Sequence, residues 1–383
     1  MFANAVKIIT LNKFDIKVDP SWLLVAALIT WSLSHQFFPE ILPDASMSVY
    51  LTMAVVAMLG LFASLLLHEL AHSVVARHFG VPITSITLFL FGGVAELESE
   101  PTSARVEFWI ALAGPAMSLC LAAGFWTLEI IAGWSGFPAA FVEVVGYLAV
   151  INLIVALFNL LPAFPLDGGR VLRAFLWSRS GDVLSATRSA AQSGAFLAYV
   201  LMALGVVALF QGALVAGLWQ IMIAGFILVA ARASYTQQLA KVAFDGRTVG
   251  ALMTRHPVTV SPDITLSEFV NQIILQKQVT FVPVLDGEIL LGHMDSSVLA
   301  GIERENWANT RVDDVFVGLD SGVMVNADLP VQDLLEVISK TGQRKFLVVS
   351  DHDLLGVISL SDLTRFLSSA DQDQRPLKKV IQS

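Results

Sequence analysis

Six stretches of the sequence, near residues 20–36, 48–78, 107–131, 138–161, 190–211 and 213–232, are apolar over about twenty positions or more each. That is the length a helix needs to cross about 30 Å of hydrocarbon. The 383 residues are 55% hydrophobic and only 14% charged, more apolar side chain than a water-soluble core can hide. A mean hydropathy of +0.71 agrees. Past residue 240 the composition reverts abruptly to that of a soluble domain. The expected architecture is an α-helical polytopic membrane domain with six transmembrane helices (1–235), a linker (236–247), two small α/β modules (248–302 and 310–367) and a tail (368–383).

The formal charge is −9, from 32 acidic and 23 basic residues, and the acidic surplus lies mostly after Asp245. Nucleic acid demands a basic surface, so that class of partner is excluded. The single cysteine, Cys120, lies in the third apolar run, forbids an intrachain disulfide and reads as a small core residue. Residues 5–19 are mixed and strand-like, and no A-x-A site follows the first apolar run. That run is therefore expected to stay as a span rather than leave as a signal peptide. Lys7, Lys13 and Lys17 precede the first span, and Arg77 and Arg105 follow the second. Arg170, Arg173, Arg179 and Arg188 follow the fourth, and Arg232 and Lys241 follow the sixth. The intervening loops carry neither Lys nor Arg. Both termini and the soluble tail are thus expected on the cytoplasmic side of the cell (inner) membrane.

Near the end of the second run the sequence reads LLLHELAHSVVARH. His68 and His72 are four apart, so on a helix they share one face and can bind one metal ion together. Glu69 beside them can take a proton from an activated water. Two imidazoles and a carboxylate in an apolar span are costly unless coordinated or paired. A catalytic zinc takes three protein ligands and leaves one position open. The candidate third ligand is Asp167, in NLLPAFPLDGGR after the fourth run. There Pro162 and Pro165 end the helix, and Gly168 and Gly169 are expected to let the backbone turn. His72 lies five residues before Arg77, about 7 Å below the cytoplasmic face at 1.5 Å per residue, and the fourth run ends at the same depth. The rival reading is a structural polar cluster with an Asp-Gly turn.

HELAH, AGPAM (Ala113 to Met117) and NLLPAFPLDGG together resemble the site-2 protease family of intramembrane zinc metalloproteases, over residues 20 to 175. The resemblance implies one Zn2+ per chain held by His68, His72 and Asp167, with Glu69 as catalytic base. It also makes Asn159 a candidate for holding substrate or the oxyanion, beside its alternative as an interhelical hydrogen bond. Asn152, seven residues earlier, reads as structural. The segment SITLFLFGGVAELE suggests a small membrane-associated β-hairpin or sheet. Family members are thought to pair an unwound substrate with such a strand, which makes Leu88, Phe89, Phe91, Gly92 and Gly93 candidate substrate contacts; a simple hairpin is the alternative. The implied substrates are single-pass membrane proteins or membrane-tethered regulators: an anti-sigma factor, a pro-sigma factor or a remnant signal peptide.

The tail repeats itself with an offset of 65: Val258-Thr-Val260 matches Val323-Met-Val325, and Phe281-Val-Pro-Val284 matches Phe346-Leu-Val-Val349. Each unit reads strand, helix, strand, strand, helix, too small to bury a core well alone. The tail resembles a tandem CBS domain pair, and the whole chain a CBS-containing branch that includes a sporulation protease acting on a pro-sigma factor. The resemblance implies a homodimer or an adenine nucleotide bound between modules. The ligand signature appears as GVISLSD, with Ser359 and Asp362 at ribose and phosphate. In the first repeat, GHMDSSV has Asp295 in the hydroxyl position and Val298 in place of the Asp. A CBS-regulated transporter and an inactive membrane-protein-binding homologue are the alternatives, but neither explains HELAH together with LDGG.

Overall fold

The computed structural model describes residues 5–11, 14–89, 92–97, 101–350 and 353–374. Contacts divide it into two units, Met1–Thr236 and Gln237–Ser383.

The first unit opens with strands β1 (Val6–Leu11) and β2 (Phe14–Val18), an antiparallel pair. The Asp19 carboxylate accepts from the Ser21 N–H at 2.9 Å and starts the first helical run. This run is α1 (Ser21–Ser32), a π-helical turn (Leu33–Phe37) and α2 (Phe38–Ile41), end to end. The cause of its division is Pro39, which lacks an N–H and whose ring displaces the carbonyl four residues back, inside the π turn. Among the described residues five unbroken helices, rather than the six expected, are long and apolar enough to cross a membrane. They are α3 (Met47–His78), α4 (Ala104–Trp134), α5 (Ala139–Asn159), α7 (Val183–Phe210) and α8 (Leu214–Phe244). Between α5 and α7 lies the short α6 (Asp167–Ser180), which ends at Gly181 with φ 73°. The Asp182 side chain then caps α7 by accepting from the Leu184 and Ser185 N–H groups.

Strands β3 (Ile83–Phe89) and β4 (Gly92–Leu97) follow α3 and extend the N-terminal hairpin into a four-stranded sheet, β1-β2-β3-β4. Only the β2–β3 pairing is parallel. The hairpin expected from SITLFLFGGVAELE is therefore half of a sheet whose other half comes from residues 6–18.

The bundle core joins Leu33 and Phe38 to Tyr50, Met53, Ala54, Ala57 and Leu61 of α3 and to Val144 and Leu148 of α5. Asn152 of α5 donates to Ser64 Oγ of α3 at 3.1 Å and to the Leu148 carbonyl at 2.8 Å, the interhelical role expected of it. Trp134, Phe210 and Val215 are 84–89% exposed, so the outward faces of this unit need an apolar solvent.

In the second unit the stretch expected as a linker is helical through Phe244, whose ring is buried. Then come α9 (Val249–Leu252), β5 (Thr254–Arg255), α10 (Leu266–Phe269) with a π turn after it, β6 (Phe281–Asp286) and β7 (Ile289–Asp295). The second repeat supplies β8 (Val317–Gly318), β9 (Met324–Asn326), α11 (Val331–Thr341), β10 (Lys345–Ser350), β11 (Asp353–Ser359) and α12 (Leu360–Gln374). The two sheets run β5-β11-β10-β9 and β6-β7-β8, so β5 of the first repeat completes the sheet of the second, and β8 does the reverse. Phe281 and Leu290 pack with Val323 and Leu347 between them.

Replacing Asn152 by Leu should remove the α3–α5 hydrogen bond at a cost of about 1 kcal/mol. The expected result is a lower Tm in detergent with metal content unchanged; an unaltered Tm would show the bond to be idle.

Candidate metal centre

Helical spacing on α3 brings the His68 and His72 rings to a centroid separation of 4.9 Å, with their Nε2 atoms 3.2 Å apart. Asp167 Oδ2 lies 3.2 Å from each of those nitrogens. The three atoms form an equilateral triangle drawn from two distant stretches of chain. Both histidines are buried and the Asp167 side chain is 13% exposed. Among the described residues this is the one group of three or more His, Cys, Asp or Glu side chains spaced to hold a metal ion.

Zinc fits this donor set. Metal–ligand distances of about 2.0–2.1 Å in a tetrahedron put ligand atoms about 3.3 Å apart. The hydrogen positions agree. His72 Nδ1 lies 2.6 Å from the Ile110 carbonyl, which only accepts, so this nitrogen donates and the neutral ring turns its Nε2 lone pair toward Asp167. His68 Nδ1 meets Ser118 Oγ at 2.8 Å, which accommodates the same tautomer. Three lone pairs then point at one spot, an arrangement that a cation resolves.

Asp167 opens α6, and its position is set by close backbone packing. A Cβ on Gly168 would collide with the carbonyls of Leu160 and Leu161, and one on Gly169 with Ala163 and Phe164. Both glycines are helical, so their purpose is this close approach and not the turn expected of them. α7 grips the same turn from outside: the Phe164 N–H donates to the Ala190 carbonyl at 3.3 Å, and the Ser193 hydroxyl donates to the Pro162 carbonyl.

One face of α4 serves the whole constellation. Ile110, Gly114 and Ser118 recur at helical spacing, and Glu107 stands one turn earlier. Ile110 and Ser118 orient the two imidazoles, while a Cβ on Gly114 would strike both His68 and His72 Nε2. Sequence reasoning missed Ser118 and the Ile110 carbonyl. Their only trace was a serine four residues beyond a glycine in an apolar run, and a backbone carbonyl leaves none.

Glu69, adjacent to His68, turns about 100° away from it around the helix. Its side chain lies against the backbone of β4, where a Cβ on Gly93 would come 2.7 Å from Glu69 Cδ. In the sheet Leu88 pairs with Gly93 and Phe89 with Gly92, and β4 is an edge strand; Phe91 lies outside the described residues. Asn159 is the last residue of α5 and makes no side-chain hydrogen bond among the described residues, so the interhelical bond weighed for it is not formed. In the second unit Asp362 Oδ2 accepts from both the Ser359 N–H (2.9 Å) and the Ser359 hydroxyl (2.7 Å), a local helix cap. The corresponding corner of the first repeat differs: Asp295, at the position of Ser359, accepts from Lys345 Nζ through Oδ2 at 2.6 Å. Burial pushes the Asp295 carboxyl up, but Lys345 and the Ser297 N–H outweigh it and hold it below the ordinary value.

Comparison with known proteins identifies the family. The model of peptidase family M50 matches residues 56–141 and 131–205, and the CBS domain model matches 249–292 and 314–369. Rip3 of Mycobacterium tuberculosis, whose name carries the words zinc metalloprotease, is 37% identical over 92% of this chain and 90% of its own. Zinc metalloprotease MJ0392 of Methanocaldococcus jannaschii is 30% identical over 80% of this chain and 84% of its own. A solved site-2 protease from Methanocaldococcus jannaschii aligns with a TM-score of 0.42 at 27% identity, covering 60% of this chain and 95% of that one. The chain belongs to peptidase family M50, the site-2 protease zinc metalloproteases, in a form that carries a pair of CBS domains.

Proposed function

We propose that this integral membrane protein cleaves peptide bonds within the bilayer, with His68, His72 and Asp167 holding one zinc ion and Glu69 as general base. The observation that carries this reading is the 3.2 Å triangle of Nε2, Nε2 and Oδ2 atoms, its tautomer fixed by the Ile110 carbonyl. When bound, zinc supplies Lewis-acid polarisation of the scissile carbonyl and a water acidic enough to lose its proton near neutral pH. Glu69 takes that proton and hands it to the leaving amine, a role worth about 10²–10⁴-fold in rate. Ser118 and the Ile110 carbonyl keep both imidazoles turned inward during turnover. Asn159, at the end of α5, is assigned to hold substrate or the developing oxyanion.

A helical substrate has its carbonyls bonded internally, so it must unwind to be cut. The strand β4, at the sheet edge among the described residues and with Gly93 against Glu69, offers backbone beside the base, and an extended substrate segment there would approach it closely. Leu88, Phe89, Phe91, Gly92 and Gly93 are the contacts this reading assigns. The substrate is a single-pass membrane protein or a membrane-tethered regulator. Basic residues before α1, at the facing ends of α3 and α4 and after α5 support a cytoplasmic location for both termini by charge bias. The CBS pair, with Ser359 and Asp362 as nucleotide contacts, is the regulatory element, through an adenine nucleotide or a homodimer.

Glu69→Gln should lower cleavage of a co-expressed tethered substrate by about 10²–10⁴-fold while zinc stays near one per chain. Full activity in that variant would remove the proposed base. Gly114→Ala places a methyl group against both Nε2 atoms and should lower zinc content with the helices intact by circular dichroism; an unchanged content would refute the close approach. Calorimetry of the full-length protein with ATP, ADP and AMP is expected to show binding that Asp362→Ala abolishes, and no heat with any of the three would retire the nucleotide assignment.

A further inference from the structure

The face of α4 that serves the histidines carries one more group. Glu107 is fully buried one turn before Ile110 and meets Arg173 of α6. Arg173 Nε donates to Glu107 Oε1 at 2.6 Å, and a terminal guanidinium nitrogen closes on the same oxygen. The guanidinium carbon also stands 5.2 Å from the centroid of the Phe164 ring, in the turn that leads to Asp167. We propose that the Glu107–Arg173 pair is a positioning device for the metal centre: it fixes the roll of α6 against α4 and so delivers Asp167 Oδ2 to the two imidazoles.

The first turn of α6 reads Asp167, Gly168, Gly169, Arg170. Its two glycines allow close approach but carry no side chain that keys rotation. Beyond Asp167, Arg173 is the one side chain of α6 that hydrogen-bonds another element among the described residues. A roll of about 20° would carry an atom about 5 Å from the helix axis through about 1.7 Å. Zinc–ligand distances tolerate about 0.2 Å, so the centre is far more sensitive to that roll than the packing around it. Arg173 grips Glu107 on the same helix that orients His68 and His72, so all three ligands are referred to one rigid element, α4. Glu107 Oε2 has no hydrogen-bond partner among the described residues, so this buried carboxylate depends on Arg173 for its compensation.

This inference rests on reading His68, His72 and Asp167 as the ligands, and its test separates the two. Zinc affinity of the purified full-length protein would be measured by competition with a chromophoric chelator. Arg173→Ala, and the pair Glu107→Gln with Arg173→Met that strands no buried charge, should each release zinc about 10–100-fold more readily. In an Asp167→Asn background the same pair should change affinity by less than about threefold, because the ligand it delivers is gone. Wild-type affinity in both variants, or an equal loss with and without Asp167, would reduce the ion pair to a fold-holding contact and overturn the proposal. His68→Ala, run in parallel, distinguishes the failures. Zinc lost there but kept in the pair variants sinks this inference alone, and zinc kept in all of them sinks the ligand assignment as well.

Discussion

Two imidazole nitrogens and a carboxylate oxygen held 3.2 Å apart in a buried site are mutually repulsive unless a cation lies among them. The remainder of the first unit keeps these atoms from turning apart. The Nδ1 sides of both rings are engaged by α4, and the carboxylate arrives on a helix that leaves no room for a Cβ at Gly168 or Gly169. Such a site is preorganised. Its polar groups are oriented before any substrate enters, so little reorganisation is left for the reaction itself.

Lipid as solvent explains the means. Without a hydrophobic drive between helices, association rests on close packing and a few polar contacts. The chain uses both at the same places. Gly114 lets α4 come within reach of the imidazoles, and one turn on either side Ile110 and Ser118 supply the hydrogen bonds that this proximity permits. The α7 contacts to Pro162 and Phe164 do the same for the turn before Asp167. The geometry of the His68, His72 and Asp167 cluster and the packing of the bundle are therefore carried by the same contacts.

The parts legible in the sequence were those with a strong local period or an unusual cost. Apolar runs announced the helices of the membrane unit, ionisable groups inside one of them pointed to His68, Glu69 and His72, and the broken segment after the fourth run offered Asp167 as the third ligand. The repeat of Val258-Thr-Val260 and Phe281-Val-Pro-Val284 announced the paired modules. What stayed hidden depended on partners distant in the chain. Residues 6–18 looked strand-like, but nothing local indicates that β2 lies parallel to β3. Ser118 and Glu107 carry no mark until α3 and α6 are placed beside α4. The glycines after Asp167 were read for conformational freedom, because a sequence shows the missing Cβ and not the carbonyl that occupies its place. The first apolar run kept its composition but lost its regular helix at Pro39, an effect of one residue that an average over a window conceals.

In the second unit the exchange of strands has a consequence of the same kind. With β5 completing the sheet that contains β10 and β11, and β8 completing the sheet of β6 and β7, neither repeat can close its sheet alone. The Phe281, Leu290, Val323 and Leu347 cluster then seals the two sheets into one core. The strand that ends at Ser359 is therefore held by both repeats, because its Gly356 and Val357 pair with Arg255 and Thr254 of β5. The equivalent corner of the first repeat already holds Asp295 against Lys345 of the second, a charged contact that crosses between repeats where its counterpart is a local cap. The two repeats share a fold but not a local chemistry, so equivalent corners present different donors.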